Sequence, residues 1–535
     1  MPISQQSSQQ DPKQQAWVEL QTYDDNTELL HSSTSRWRQD GTSELQHHGS
    51  IQPASSQTAN LTSAAGVSLI EISENMHKVP VDELPLLPQS PHLTGTDDEA
   101  RLVKQERLEQ LLDTAGASVG SSVFNLATTV IGAGIMALPA TMRVLGVPIG
   151  LLTMLLMGVL SEISIEMIVH FLDLMEVQTF GDMVGKACGW PGRVAAQICI
   201  IVNNAGILIV YLIILGDVLA GSLNHSGLFE DWVGASGWWT NRKLIVVLLM
   251  VFVLAPLSAL KRIDSLKFSS AVAVALALVF VILASAIAVV KLVEGTLEVP
   301  RMLPSFGSKR AILELFTVIP IMSNAFVCQF NVPPIYTELQ HRSPAKMFKV
   351  GRISTSVCVL VYMATALSGY LLFGDLTASD VLANFDKDLG IRFSHVLNDV
   401  IRIVYAVHLM LVFPVIHYSL RQTIDGVFFP RALALAESNL RFAILTSLLL
   451  TLVFIGSTVV PNIWIAFQFT GATAGLSLGF MFPALVVLRR STSKWSTKTS
   501  HENHALAWGM LIMAIVISVI GIATQIYNLT TGEDS

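Results

Sequence analysis

The feature that most constrains the fold of this 535-residue chain is an apolar segment, residues 118–145, that is interrupted near its middle. As a helix, residues 118–142 would span about 37 Å, more than the roughly 30 Å hydrocarbon core of a bilayer. Gly132, Gly134 and Pro139 weaken that helix, because glycine adds backbone freedom and proline lacks an N–H. Backbone groups released in lipid are costly unless they are bound. The break therefore indicates either a polar cavity or a packing face of small residues.

The composition identifies a polytopic membrane protein, since 52% of residues are hydrophobic, 14% are charged and the mean hydropathy is +0.56. Soluble proteins carry about 25% charged residues. The net charge of −7 is modest, and no basic cluster points to nucleic acid. The four cysteines lie in or beside apolar runs, without disulfide or metal-ligand spacing. Without a nucleotide loop or a nucleophile motif, the sequence predicts neither an enzyme nor a cofactor or metal.

Eleven apolar runs are long enough to be membrane helices, and we number them spans one to eleven. They cover residues 118–145, 148–171, 194–219, 244–260, 266–292, 313–335, 350–373, 396–418, 442–460, 463–488 and 505–527. Lys and Arg are concentrated in alternate connections, which places the N-terminus in the cytosol. The predicted domains are a cytosolic tail (1–113), two five-helix repeats (118–292 and 313–488), span eleven (505–527) and a lumenal or extracellular tail (528–535).

The N-terminal tail is predicted to be disordered, because it is rich in Gln, Ser, Thr, Asp and His and has little apolar periodicity. It also lacks the basic region and apolar core of a signal peptide. Two short stretches, Asp25 to Leu30 and Asp82 to Leu87, resemble acidic-dileucine sorting signals, which adaptor proteins read on cytosolic tails. Such matches also arise by chance in tails of this size. Adaptor proteins are therefore candidate partners.

Span six is interrupted as well. Within residues 313–339, Pro320 is followed by the polar pair Ser323 and Asn324, and then by Pro333 and Pro334. Spans one and six occupy corresponding positions in two groups of five spans, and the second group enters the membrane from the opposite side. A matched pair of broken helices is typical of an inverted repeat with a central binding site. The pair favours a transporter over simple helix packing.

Several stretches resemble the amino acid/auxin permease family, whose members have the LeuT-type fold. They are SVFNLATTVIGAGIMALP at residues 122–139, span six, GYLLFGD at 369–375 and LNDVIRIVYAVHLMLVFPV at 397–415. The sequence VLANFD, which follows FGD, is most similar to the vacuolar amino-acid transporter branch. This resemblance implies an all-α membrane protein with a five-plus-five inverted repeat and eleven helices. It also implies secondary transport of free amino acids across a vacuolar or endolysosomal membrane, with the plasma membrane as the alternative.

An amino acid presents a carboxylate and an ammonium group, which unpaired N–H and C=O groups at a helix break can complement. By analogy with the fold, the resemblance implies that the substrate-binding residues are Asn125, Thr128, Thr129, Gly132, Ala133, Gly134, Ser323, Asn324 and Phe326. Alternatively, the polar side chains of span one bond only to helix carbonyls. Asn203, Asn204 and Tyr211 in span three are further candidates.

The sequence differs from the sodium-coupled branch of the family. That branch has Asn where Thr128 stands, and it supplies threonine hydroxyls where Met410 and Val412 stand. Neither of these two side chains offers an oxygen ligand to a hard cation. The difference favours proton coupling or facilitated movement, for which the candidate groups are Glu162, Glu166, His170 and His408. Glu166 and His170 could instead lie at the membrane interface, leaving only Glu162 deep.

Two other functions remain open at this point. The first is an amino-acid receptor or sensor with little flux that signals through its tail. The second is a sodium-coupled neutral amino acid transporter at the plasma membrane. A channel is disfavoured, because a pore would not explain the matched breaks.

Overall fold

The structure is a computed structural model, and it describes residues 117–531 except 223–224, 235, 261–266, 298, 308, 392, 434 and 491–496. The predicted disordered tail and the stretches from Asp25 to Leu30 and from Asp82 to Leu87 lie outside these residues. The described part is built from helices. Its long segments follow the order of the predicted spans.

The helical segments are, in order, Val119–Val130 and Gly134–Leu145 (span one), Val147–Met175 (two), Phe180–Ala220 (three), Arg242–Leu249, Met250–Leu254 and Ala255–Ser258 (four), Lys267–Val293 (five), Lys309–Ala325 and Val332–Glu338 (six), Pro344–Phe373 (seven), Ser394–Phe428 (eight), Asn439–Val459 (nine), Ile463–Thr470, Gly471–Gly475, Ser477–Met481 and Phe482–Arg490 (ten) and Thr497–Thr531 (eleven). A short helix, Leu228–Val233, lies between spans three and four. Span eleven thus continues into the predicted tail at residues 528–535.

Nine helices within the described ranges are long and apolar enough to cross a membrane, and the bent pair of span one makes ten. Span four is the exception, because its three pieces contain only eight, five and four residues. At 1.5 Å per residue they reach about 26 Å, short of the roughly 30 Å hydrocarbon core. The predicted all-α polytopic fold class is confirmed, whereas the count of eleven spans is not.

Span one begins and breaks where its sequence predicts. The Ser118 hydroxyl accepts a hydrogen bond from the N–H of Ser121 (3.2 Å) and so caps the first helix. That helix ends at Ile131, which has an extended backbone (φ −73°, ψ 100°). The second helix starts at Gly134, and the two pieces are bent by 61°. Pro139 lies inside the second helix and not at the break.

Span six is broken between its prolines. Its first helix ends at Ala325, and a 3₁₀ turn, Gln329–Asn331, precedes the second helix. Pro320 is tolerated inside the first helix, and Pro333 lies in the first turn of the second, where an N–H is not needed. The break therefore falls between the two prolines.

Two connections form one end of the molecule, which we call the distal face: residues 221–241 and 374–393. A side-chain contact joins them, since His225 Nδ1 lies 2.9 Å from Asp386 Oδ2. The first connection also contacts span eight, where the Trp232 Nε1–H donates to Asp399 (2.9 Å) and Arg402 pairs with Asp231 (2.7 Å). The positions of Lys and Arg predict that this face lies away from the cytosol. At the opposite end, the backbone of Ala117 pairs with that of Leu339, which attaches the start of span one to the end of span six.

Candidate functional site

Two tyrosine hydroxyls lie within hydrogen-bonding distance of backbone carbonyls at the breaks in spans one and six. The Tyr362 hydroxyl of span seven lies 2.5 Å from the carbonyl oxygen of Val130 and 2.8 Å from that of Ala325. The Tyr405 hydroxyl of span eight donates to the carbonyl of Gly132 at 2.9 Å. Both tyrosines are fully buried. A hydroxyl has one proton, so Tyr362 cannot satisfy both of its carbonyls at once, and acceptor capacity is left at the junction of the two breaks.

The two breaks touch each other, and glycine makes this possible. A Cβ atom on Gly134 would lie 3.0 Å from the Cα and Cβ of Ala325, at the end of the first helix of span six. On Gly132, a Cβ atom would lie 2.8 Å from the Tyr211 hydroxyl. Larger side chains at these positions would therefore separate the two broken helices or displace the tyrosine.

Span ten packs closely against the first half of span six. The Asn324 amide donates to the Thr470 hydroxyl (3.1 Å), and its Oδ1 atom has no hydrogen-bond partner. Directly after Thr470, span ten widens into two π-helical turns, Gly471–Gly475 and Ser477–Met481. A Cβ atom on Gly471 would lie 2.1 Å from the Pro320 carbonyl oxygen, so only glycine fits there. Such π-turns are frequent at functional sites.

Ser161 of span two and Gln329 of span six bond to polar groups at the break in span six. The Gln329 amide donates to the Ser161 hydroxyl (3.1 Å), and its oxygen accepts from the N–H of Cys328 (2.9 Å). Ser161 in turn donates to the carbonyl of Phe326 (3.3 Å). Without these bonds the buried polar groups of the 3₁₀ turn would be orphaned in an apolar environment.

The predicted substrate residues cluster at the junction of the breaks, but their side chains differ in availability. The Thr128 and Thr129 hydroxyls donate to the helix carbonyls of Phe124 and Leu126, each at 2.7 Å. This is the alternative that the sequence left open. Asn125, Gly132 and Gly134 are half-buried, whereas Ala133, Ser323, Asn324 and Phe326 are buried.

Phe326 and Ser323 differ in their surroundings. Phe326 packs edge-on against Tyr362, with ring centroids 5.0 Å apart. The hydroxyl of Ser323 has no hydrogen-bond partner. Together with the free Oδ1 atom of Asn324, it leaves unused hydrogen-bonding capacity at the end of the first helix of span six.

The proton candidates fall into two groups. Glu162 and Glu166 both pair with the exposed Arg352 (2.8 and 3.1 Å), and His170 packs edge-on against its neighbour Phe171. His408 is fully buried, lies 2.7 Å through Nδ1 from the carbonyl oxygen of Ala273, and packs 4.9 Å from the Tyr405 ring. Its Nε2 atom has no hydrogen-bond partner. Of these four residues, His408 is the one that packs against Tyr405, whose hydroxyl bonds to the Gly132 carbonyl at the break in span one.

Of the candidates in span three, Tyr211 reaches the break, whereas Asn204 donates to Ser419 in span eight (3.2 Å) and Asn203 faces Asn204 (3.5 Å). Sequence reasoning missed Tyr362 and Tyr405. Their only signal is a phenolic hydroxyl inside an apolar run, where such a group needs a partner. No group of three or more metal-ligating side chains occurs in the part of the chain that the structure describes.

Comparison with known proteins gives consistent results. The family model "Transmembrane amino acid transporter protein" matches residues 115–527. Amino acid transporter AVT6E of Arabidopsis thaliana is 54% identical over 419 residues, covering 78% of this chain and 85% of that protein. Amino acid transporter AVT6A of the same plant is 46% identical over 418 residues, covering 77% and 89%.

Solved structures show more distant similarity. MhsT in complex with L-phenylalanine is 14% identical with a TM-score of 0.44, covering 76% of this chain and 98% of that one. A manganese transporter of Eremococcus coleocola is 11% identical with a TM-score of 0.45, covering 84% and 99%. The assignment to a family comes from the sequence matches and not from these two structures.

Proposed function

Because the chain belongs to the transmembrane amino acid transporter family, we propose that it is a secondary transporter that moves free amino acids by alternating access. The observation that carries this proposal is the junction of the two broken helices, where Gly134 touches Ala325 and Tyr362 lies between Val130 and Ala325. Non-helical backbone at membrane depth is tolerated only where it is buried in protein or lines a polar cavity, and paired broken helices are typical of transporter binding sites. The family and the junction therefore support the same function.

The junction offers complementary groups to the two charged ends of an amino acid. Helix N-terminal N–H groups at Gly134 favour the carboxylate, and glycine there permits close approach. The carbonyls of Val130 and Ala325 share one hydroxyl proton, so they favour an additional donor such as an ammonium group. Asn324 and Ser323, whose Oδ1 and Oγ atoms are free, complete the proposed site. Phe326 and Tyr362 supply an aromatic wall.

We assign energy coupling to a proton gradient, with facilitated movement as the alternative. Val412 is buried and Met410 is half-buried, and neither side chain provides an oxygen ligand for sodium. His408, with a free Nε2 atom next to Tyr405, is the member of the predicted set best placed to take part. The resemblance to the vacuolar branch supports a vacuolar or other acidic-organelle membrane as the location.

Counterflow of radiolabelled amino acids in proteoliposomes tests the function directly. Proteoliposomes that are loaded with one unlabelled amino acid should accumulate the radiolabelled form of the same amino acid. We expect this for at least one of the twenty amino acids. An imposed pH gradient should change the uptake rate and a sodium gradient should not. Binding without counterflow would instead support a receptor, and uptake that follows sodium would contradict the coupling proposal.

A further inference from the structure

A buried carboxyl group on the distal face lacks a partner for one of its oxygens. Asp380 precedes the 3₁₀ segment Val381–Asp386, in the connection between spans seven and eight, and is 6% exposed. Its Oδ1 atom accepts a hydrogen bond from the N–H of Leu382 (2.9 Å), which caps the segment. The Oδ2 atom is buried and has no hydrogen-bond partner. An ionised carboxylate in this position would keep an uncompensated charge out of water.

The neighbouring cations are already engaged by other groups. Arg242, at the start of span four, pairs with Asp217 at 2.6 Å, and His225 Nδ1 lies 2.9 Å from Asp386. Asp217 and His225 both act electrostatically on Asp380, in opposite directions.

The other charged groups on the packed elements also have partners. Arg143 of span one donates to the carbonyl of Thr377 (2.7 Å). In span eight, Arg402 pairs with Asp231 and Asp399 accepts from Trp232. Span eight also brings the neutral Tyr405 close enough for Asp380 to act on it electrostatically. Among the described side chains of this cluster, the carboxylates Asp217, Asp380 and Asp386 thus outnumber the permanent cation Arg242, which is already paired.

The pKa of Asp380 follows from this environment. Burial raises it from 3.8 to about 7, and the negative charge of Asp217 adds to the rise, whereas the N–H of Leu382 and His225 oppose it. A carboxyl group exposed to water would have a pKa near 3.9. Burying Asp380 therefore favours uptake of a proton in mildly acidic solution, and exposing it favours release.

The connection that carries Asp380 is linked to the substrate junction through two aromatic side chains. Phe385, five residues further on, packs edge-on against Phe280 of span five (6.4 Å), and Phe280 packs at 4.9 Å against Tyr405. Tyr405 donates to the carbonyl of Gly132 at the break. A movement that uncovers Asp380 would therefore disturb a hydroxyl that holds the broken helix.

We propose that Asp380 is a proton-binding site on the distal face, which takes up one proton from that compartment when the 374–393 connection closes over the junction and returns it on opening. The coupling of this proton to amino-acid movement rests on the proposed function. The proton binding itself does not, because it follows from the burial of the Asp380 carboxyl group and the lack of a partner for its Oδ2 atom.

The first test is the pH dependence of thermal unfolding of the purified full-length protein. Between pH 5 and pH 7 the folded protein holds a proton that the unfolded chain has released. The unfolded-to-folded ratio of the wild type should therefore rise by up to about tenfold per pH unit from this group. Asp380→Asn keeps the cap and stays neutral, so it should lack that dependence. Asp375→Asn is the matched control, since Asp375 is an exposed carboxylate of the same connection, 52% exposed, and it should behave as the wild type.

The second test is counterflow at different pH values in the distal compartment. Wild-type exchange should slow by up to about tenfold per unit as that pH rises above 7, whereas Asp380→Asn should be insensitive. Asp217→Asn removes the neighbouring negative charge, so its profile should move to lower pH. If Asp380→Asn does not fold, the shift expected for Asp217→Asn still tests the proposal.

Two outcomes separate the proposals. If amino acids exchange but Asp380→Asn keeps the wild-type pH dependence in both assays, the proton site is wrong and the transport function stands. If no amino acid exchanges but Asp380→Asn abolishes the pH dependence of unfolding, the transport function is wrong and the proton site stands. An unshifted profile for a folded Asp217→Asn would also overturn the proton site.

Discussion

Removing one hydroxyl, by Tyr362→Phe, should weaken substrate binding more than it weakens the fold. The hydroxyl lies 2.5 Å from the Val130 carbonyl and 2.8 Å from the Ala325 carbonyl, at the point where the two breaks meet. Phenylalanine keeps the ring and its packing against Phe326. It leaves buried carbonyls without a donor, which costs about 1–3 kcal/mol. This cost destabilises the conformation in which the two breaks meet, which is the conformation proposed to bind substrate. The amino-acid concentration for half-maximal exchange should therefore rise by about 5–150-fold.

The assay is the concentration dependence of counterflow, with Tyr370→Phe as the matched control. Tyr370 lies in the same helix, is equally buried, and its hydroxyl accepts from the N–H of Arg301 (3.0 Å), away from the breaks. Tyr370→Phe should lose a similar hydrogen bond, but its concentration for half-maximal exchange should stay at the wild-type value. Equal half-saturation values for both variants and the wild type would refute the role assigned to Tyr362. Equal loss in both variants would show that the effect is general destabilisation.

Two further substitutions test separate parts of the structure. Gly471→Ala would place a Cβ atom 2.1 Å from the Pro320 carbonyl oxygen, and it should lower the thermal unfolding midpoint by several degrees, whereas Gly509→Ala, which has nothing within 4 Å, should not. A stable Gly471→Ala protein would contradict the packing of span ten on span six. Thr128→Asn should not confer sodium dependence on uptake, because Met410 and Val412 still lack oxygen ligands. A sodium response in that single variant would show the coupling argument to be wrong.

The positions of the helices could be predicted from the sequence because hydrophobic length alone decides which segments can cross a bilayer. The paired breaks were predicted for a different reason, since glycine, proline and polar residues interrupt two otherwise apolar runs at corresponding positions. In span six the first helix ends at Ala325, within the stretch from Ser323 to Phe326 where the resemblance places the break, although Pro320 lies inside that helix. Span four was predicted as an ordinary span, but the π-turn Met250–Leu254 divides it.

The chemistry of the site was harder to predict, because it depends on the rotation of each helix about its axis. Thr128 is at the predicted position, yet its hydroxyl bonds to its own helix. Tyr362 and Tyr405 carry the carbonyl contacts, and they come from spans seven and eight, far away in sequence. Asp380 lies in a connection that reads as an ordinary polar loop. Only its burial beside Asp217 gives it a distinct role.

The most direct test of the central claim is amino-acid counterflow with a substitution that separates the two breaks. Gly134→Val should abolish exchange, because even its Cβ atom would lie 3.0 Å from the backbone of Ala325. Gly120→Val is the matched control in the same span, because Gly120 is exposed and the nearest atom to its Cβ is 3.9 Å away. We expect exchange in the wild type and in Gly120→Val, and none in a folded Gly134→Val. Undiminished exchange by Gly134→Val, or no exchange of any amino acid by the wild type, would contradict a substrate site at the junction of the two broken helices.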